Sequence, residues 1–117
     1  MVDDYREMIT IIRRMLLGFG FKEIDDASDG PSALVKLRAD VYDLVISDLT
    51  MQPMDGLEFL RQIRADPVLG ALPFIMVTAS PEEHDIVAAK DAGVTAYILK
   101  PFTAALLRQR IDIVLSA

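Results

Sequence analysis

The sequence predicts one α/β domain built on a doubly wound parallel sheet, and three observations carry that expectation. Short apolar runs alternate along the chain with stretches of helical periodicity. The runs Leu44-Val45-Ile46 and Phe74-Ile75-Met76-Val77 are continuously apolar instead of alternating, as in strands covered on both faces. The runs also stop abruptly on polar side chains: Asp3-Asp4, Asp48, Thr78 and Lys100. In a five-stranded sheet of order 2-1-3-4-5, with helices on both faces, those strand ends share one edge.

The elements follow in order. Met1-Val2-Asp3-Asp4 reads as the tail of a first strand. From Tyr5 to Phe19, Met8, Ile12, Met15, Leu16 and Phe19 recur at helical spacing, and Gly18 and Gly20 end the helix. Lys22 to Ala27 is a charged strand of the kind tolerated at a sheet edge. Asp29-Gly30-Pro31 opens a second helix with Pro near its first position and Ala33, Leu34 and Leu37 on its buried side. Tyr42 to Asp48 is the third strand. Gly56 to Ala65 is a helix carrying Leu57, Leu60 and Ile63, closed by Asp66-Pro67.

Phe74 to Thr78 is the fourth strand. Pro81-Glu82-Glu83 starts a helix whose first-turn acids suit its dipole, running to about Ala92-Gly93. Ala96 to Leu99 is the last strand, ending on Lys100-Pro101, and Thr103 to Leu115 is the last helix, with Leu107, Ile111 and Val114 inward. Leu106 and Ile113 lie beside that stripe, either widening the core or facing a partner. One domain, residues 1–117, accommodates all of this without repeat or linker.

A chain of 117 residues buries roughly two-thirds of its unfolded surface, enough for a core without staples. It has no Cys, which excludes disulfides, thiol chemistry and Cys-ligated metal. A net charge of −6 argues against direct nucleic-acid binding. No run approaches the ~20 apolar residues of a membrane span, and the acidic start is unlike a signal peptide. A soluble cytoplasmic protein is the expectation.

At the shared edge, acids of the first and third strands become neighbours. Two carboxylates ~4 Å apart repel by about 4 kcal/mol at an effective dielectric near 20, so the cluster wants a proton or a hard cation. Oxygen ligands with neither Cys nor His nearby favour Mg²⁺. A lysine and a hydroxyl beside that site suit anionic oxygens, and the set suits phosphoryl transfer.

Val2-Asp3-Asp4, Ile46-Ser47-Asp48, Met54-Asp55-Gly56, Val77-Thr78-Ala79 and Lys100-Pro101-Phe102 together resemble the signature set of response-regulator receiver domains. The flavodoxin-like strand order is also that of a chemotaxis receiver. The likeness is greatest to the single-domain chemotaxis (CheY-like) type, notably at Asp55-Gly56-Leu57-Glu58, Ile63-Arg64-Ala65-Asp66 and Lys100-Pro101-Phe102-Thr103-Ala104-Ala105.

The resemblance implies the roles. Asp48 takes a phosphoryl group from the phosphohistidine of a histidine kinase or phosphotransfer domain. Asp4 binds Mg²⁺ directly and Asp3 through water, with the Thr50 backbone carbonyl as a further ligand. Lys100 pairs with the phosphoryl oxygens, Thr78 moves to hydrogen-bond them, and Tyr97 changes rotamer as it does so. Lys100-Pro101 is cis. A downstream protein docks on the face made by the fourth helix, fifth strand and fifth helix. The arginines of the first helix, Arg6, Arg13 and Arg14, either dock a kinase or form a solvated face, and His84 is read as surface. Such a module catalyses only its own phosphorylation and dephosphorylation and is not otherwise an enzyme.

Other readings stay in view. The chain fits a receiver excised from a larger regulator. A small aspartyl-nucleophile phosphatase would need a second acid where Thr50 stands, and a nucleotide or flavin binder would need a Gly-rich phosphate loop where Asp3-Asp4-Tyr5 stands. A receiver-shaped scaffold that is never phosphorylated is a further alternative.

The sequence also departs from the family pattern. Gln52-Pro53 sets the loop proline one residue late. Thr50 and Ser80 stand where the family tunes dephosphorylation. Only Met1 and Val2 stand where a first strand of about five apolar residues is expected. Three buried aliphatic side chains are worth roughly 1.5–3 kcal/mol each, against a total stability of about 5–15 kcal/mol. A monomer without them should barely fold. The expectation is that the natural chain begins a few residues earlier, or that another chain's segment fills the gap.

Overall fold

A computed structural model of the chain describes residues 1–51 and 54–116. The elements are α1 (Arg6–Gly18), α2 (Gly30–Ala39), β1 (Val45–Ser47), α3 (Gly56–Ala65), β2 (Phe74–Thr78), α4 (Glu83–Asp91), β3 (Ala96–Leu99) and α5 (Ala104–Ser116). The three strands pair in parallel in the order β1-β2-β3. Beyond β1 the pattern continues as single parallel bridges, Ser47 to Val2 and Val2 to Ala27. The spatial order is therefore Ala27, Val2, β1, β2, β3, which is the 2-1-3-4-5 topology with its first two strands reduced to one paired residue each.

Three strand expectations shorten accordingly. The first strand is Val2 alone. The segment from Lys22 to Ala27 is bridged only at Ala27, and the run from Tyr42 forms a ladder only from Val45. The cause is common to all three. A strand is defined by its neighbour's backbone, and among the described residues the pairing on that side of the sheet is the single bridges of Val2 to Ala27 and Ser47.

The side chains of the ladder divide between two faces, as the pleat requires. Val45, Phe74 and Met76 meet α2 and α3 through Leu34, Leu37, Phe59, Leu60 and Ile63. Ile46, Ile75, Val77 and Ile98 meet α1 and α5 through Ile12, Leu16, Leu107, Ile111 and Val114. Both faces are covered, which is why the strands carry no polar alternation.

The helices begin where local chemistry allows. Asp29 caps α2 by accepting from the Ser32 N–H at 2.8 Å, and Pro31 sits in the first turn. Asp55 caps α3 by accepting from Glu58 N–H at 2.8 Å. Thr103 accepts from Leu106 N–H at 3.1 Å, so α5 starts one residue later than its expected start at Thr103. α1 ends at Gly18, and Gly20, at φ +100°, turns the chain away.

Several burial expectations are refined. The inward stripe of α1 is Ile9, Ile12 and Leu16, with Met8, Met15 and Phe19 at its margin. In α3, Phe59 is fully buried and Leu57 only half-buried. Leu106 packs against the core and so widens it, while Ile113 is exposed. Arg13 is no free cation, because it pairs with Asp26 and donates to the Ile24 carbonyl at 2.9 Å. Arg6 lies 3.8 Å from Asp26 and is mostly solvated. His84 is exposed. The expected loop change at Gln52-Pro53 lies outside the described residues.

Candidate functional site

The site forms where the ladder runs out at the carboxyl edge. Asp48 follows β1, and its backbone N–H donates to the Val2 carbonyl at 3.0 Å. That bond holds Asp48 beside Asp3 and Asp4. Oxygens of the Asp3, Asp4 and Asp48 carboxylates all lie within 4.8 Å of one another. Asp3 is buried, with its side chain 4% exposed, Asp48 is at 12%, and Asp4 faces solvent. Lys100, at the end of β3, reaches across the edge. Its Nζ lies 3.3 Å from Asp3 Oδ2 and 3.6 Å from Asp48 Oδ2.

Backbone donors fix the acids. Tyr5 N–H donates to Asp3 Oδ1 at 3.0 Å, and Leu49 N–H donates to Asp48 Oδ1 at 2.8 Å. The Thr50 N–H also meets the Asp48 carboxylate. Burial above all, helped by the Asp3 charge, pushes the Asp48 carboxyl above its ordinary value. The Lys100 ammonium and the two backbone donors pull it back. One cation thus faces three acids, and each of Asp3 and Asp48 keeps an oxygen clear of its backbone donor. A cluster of hard oxygens with a surplus of negative charge fits a small divalent cation.

Thr78 and Tyr97 stand one step away. The Lys100 N–H donates to the Thr78 carbonyl at 2.8 Å, so the two strand ends are locked together. The Thr78 hydroxyl is buried and accepts from Ser80 N–H at 3.3 Å. The half-buried Tyr97 donates its hydroxyl to the Ser80 carbonyl at 3.0 Å. Ser80 in turn bonds Asp85 on α4. Thr78 and Tyr97 are therefore joined through Ser80. The Lys100-Pro101 bond is cis, as expected from the resemblance.

Two residues named from the sequence have supporting contacts that the sequence does not reveal. Gly56 opens α3 against the loop after β1, and its N–H donates to the Leu49 carbonyl at 2.7 Å. A Cβ at Gly56 would overlap the Asp48 carbonyl oxygen and lie 2.9 Å from both Asp48 C and Leu49 Cα. Glycine is needed there because backbone occupies the space. The second is Ser80, expected where the family tunes dephosphorylation, whose bonds to Thr78, Tyr97 and Asp85 on α4 no local pattern marks.

Comparison with known proteins agrees with this geometry. The family model described as "Response regulator receiver domain" matches residues 1–112. Chemotaxis protein CheY-3 of Vibrio cholerae is 41% identical over 111 residues, 95% of this chain and 85% of that protein. The high-resolution structure of the V. cholerae chemotaxis response regulator CheY4 superposes with a TM-score of 0.90 at 30% identity, covering 97% of this chain and 94% of that one. The receiver domain of a Pseudomonas aeruginosa sensor histidine kinase, with magnesium coordinated in its active-site cleft, gives a TM-score of 0.90 at 28% identity, covering 99% and 94%. With its sheet order, acid cluster and strand-end lysine, the chain belongs to the response-regulator receiver domain family, and its relatives include CheY-like chemotaxis proteins.

Proposed function

We propose that this domain, residues 1–117, is a phosphorylatable switch of the CheY-like type working in the cytoplasm, with Asp48 as the phosphoryl acceptor. The observation that carries the reading is the convergence of Asp3, Asp4 and Asp48 within 4.8 Å, with Lys100 Nζ 3.6 Å from Asp48. Asp3, Asp4, Asp48 and the Thr50 carbonyl would hold Mg²⁺, which when bound neutralises charge that develops on phosphoryl oxygens.

An Asp48 carboxylate oxygen attacks phosphorus. The bond from phosphorus to the donor's histidine nitrogen breaks, the electron pair leaves with the imidazole, and an acyl phosphate remains on Asp48. Lys100 sits where it neutralises the transferred oxygens. The buried Asp48 is also poorly solvated, which leaves its oxygen available for attack. Attack of water on that phosphorus breaks its bond to Asp48, releases inorganic phosphate and returns the free carboxylate, so the chemistry is confined to the domain's own modification.

The readout follows from the Ser80 linkage. When the Thr78 hydroxyl turns toward the phosphoryl group it leaves Ser80 N–H, and the Tyr97 hydroxyl loses the fixed carbonyl it now uses. α4, β3 and α5 carry exposed Ile86, Val87, Leu99 and Ile113, the apolar material of a protein-docking face. A histidine kinase or phosphotransfer domain supplies the phosphoryl group, and a downstream protein reads that face.

The test is intact-mass measurement after incubation with acetyl phosphate, with and without MgCl₂. One added phosphoryl group, seen only with Mg²⁺, is the expected result. No uptake, or steady turnover of p-nitrophenyl phosphate in its place, would overturn the switch and favour the phosphatase. The Lys100→Met variant should retain Mg²⁺ binding but take up phosphoryl ~100-fold more slowly, the usual cost of removing one preorganised charge partner. Unchanged loading kinetics in that variant would remove Lys100 from the chemistry.

A further inference from the structure

The first turn of α4 is held differently from those of α2 and α3. Those two helices are each capped by an aspartate, but Glu82 at the start of α4 makes no side-chain cap bond. Ser80, two residues earlier, does that work. The Glu82 N–H donates to Ser80 Oγ at 3.4 Å, and the Ser80 hydroxyl donates to the carboxylate of Asp85 inside the helix. With its N–H on Thr78 Oγ1 and its carbonyl on the Tyr97 hydroxyl, Ser80 joins the end of β2, β3 and α4 at one point.

Little else fixes α4. Ala89 is its fully buried side chain, and the half-buried Asp85, Ala88 and Ala92 lie along the same stripe. Methyl groups bury little apolar area, so packing alone holds the helix weakly. Asp85 is the odd member of that stripe. Glu83, in the same turn, can serve the helix dipole from solvent, whereas Asp85 faces inward onto Ser80. Its other oxygen lies 3.4 Å from Nε2 of the exposed His84.

We propose that Asp85 is a positioning residue, whose bond to Ser80 is the tether through which the switch at Thr78 moves α4. The inference rests on the phosphoryl-switch reading above. When the Thr78 hydroxyl turns to the phosphoryl group, the Ser80 N–H loses its acceptor and needs another, which shifts the loop around Ser80. Ser80 draws the first turn of α4 with it, because Asp85 and Glu82 are bonded to its hydroxyl. The helix slides on its alanines and carries the exposed Ile86 and Val87 along. Without Asp85 the same event stays in the loop.

The test is amide NMR of the full 117-residue chain, titrated with beryllium fluoride in MgCl₂ as a non-covalent stand-in for the phosphoryl group. In wild type, Leu49 and Lys100 at the site and Ile86 and Val87 on α4 should all shift. In Asp85→Ala the site amides should still shift, with an affinity that holds or rises because binding no longer displaces a helix. The α4 shifts should shrink ~5-fold or more, the lower edge of the usual coupling between sites. Asp85→Asn, whose amide oxygen can still accept from Ser80, should restore them. Ser80→Ala should lose the α4 shifts as Asp85→Ala does, and the double variant should lose no more than either. That pair keeps the question decidable should Asp85→Ala fail to fold. Full α4 shifts in the Asp85→Ala and Ser80→Ala variants would overturn the proposal. So would an Asn variant as silent as the Ala one, which would make charge at the helix start the cause, or a joint loss of site and α4 shifts. A wild type silent at both places would instead strike the switch reading itself, and the tether with it.

Discussion

Asp48→Asn should do two things at once: abolish phosphoryl uptake from acetyl phosphate and make the protein more stable at neutral pH. The first follows from losing the nucleophile. The second follows from the cost of holding Asp48 ionised in its native place, where burial and Asp3 push its carboxyl above its ordinary value. For a carboxyl raised in the folded state, the protein binds the proton more tightly than the unfolded chain does. Stability is then full below the unfolded value of 3.8 and falls as pH rises through the folded one. Asparagine removes that fall. Its Tm should exceed that of wild type at pH 7. The advantage should vanish below about pH 4, where both proteins carry a neutral side chain. Paired thermal melts across that range decide it, and an Asn variant less stable at pH 7 would mean that the Lys100 contact outweighs burial.

Gly56→Ala should be the most damaging single methyl group in the domain. The added carbon meets the Asp48 carbonyl and the Asp48-Leu49 peptide, all backbone, with no flexible side chain to swing aside. Relief requires moving either the start of α3 or the loop that carries Asp48. Forced backbone shifts sit at the upper end of overpacking costs, about 3 kcal/mol, a large part of the total stability of any small domain. The urea midpoint should fall accordingly, and phosphoryl uptake should fall in the fraction that remains folded. Gly18→Ala is the natural control, since nothing lies within 4 Å of a Cβ there and alanine is the better helix former. A Gly56→Ala midpoint equal to that of the control would show that the loop after β1 yields freely.

These two residues show what a linear sequence reveals and what it hides. Asp48 was legible because a buried apolar run ended on a charge, and its company at Asp3-Asp4 and Lys100 followed from strand order alone. The helix starts were equally open, since Asp29 and Asp55 announce themselves as caps by type and position. Gly56 was visible as a helix-start residue, but its need to be glycine arises from the Asp48 carbonyl, eight positions back in the chain and beside it only in space. Arg64 is similar. Its guanidinium holds the loop carbonyls of Gly70, Leu72 and Gly93, and no spacing rule connects those positions. Phe59 is fully buried in α3 because its face meets Phe74 edge-on at 5.7 Å, a tertiary contact absent from any periodicity. Strand lengths failed for the opposite reason. The residues from 22 to 26 and from 42 to 44 have strand-like composition, but a ladder needs a partner, and among the described residues Val2 bridges only Ala27 and Ser47.

The acid cluster's divalent-ion role and the Asp48 acceptor role meet in one measurement. After incubation with acetyl phosphate, borohydride reduction converts an aspartyl phosphate to homoserine, and tandem mass spectrometry then locates the changed residue. Homoserine at position 48 alone, formed with Mg²⁺ and absent when the metal is chelated, is the predicted result. Modification at another carboxylate, or at Asp48 regardless of the metal, would contradict the convergence of Asp3, Asp4, Asp48 and Lys100 on a single phosphoryl-accepting site.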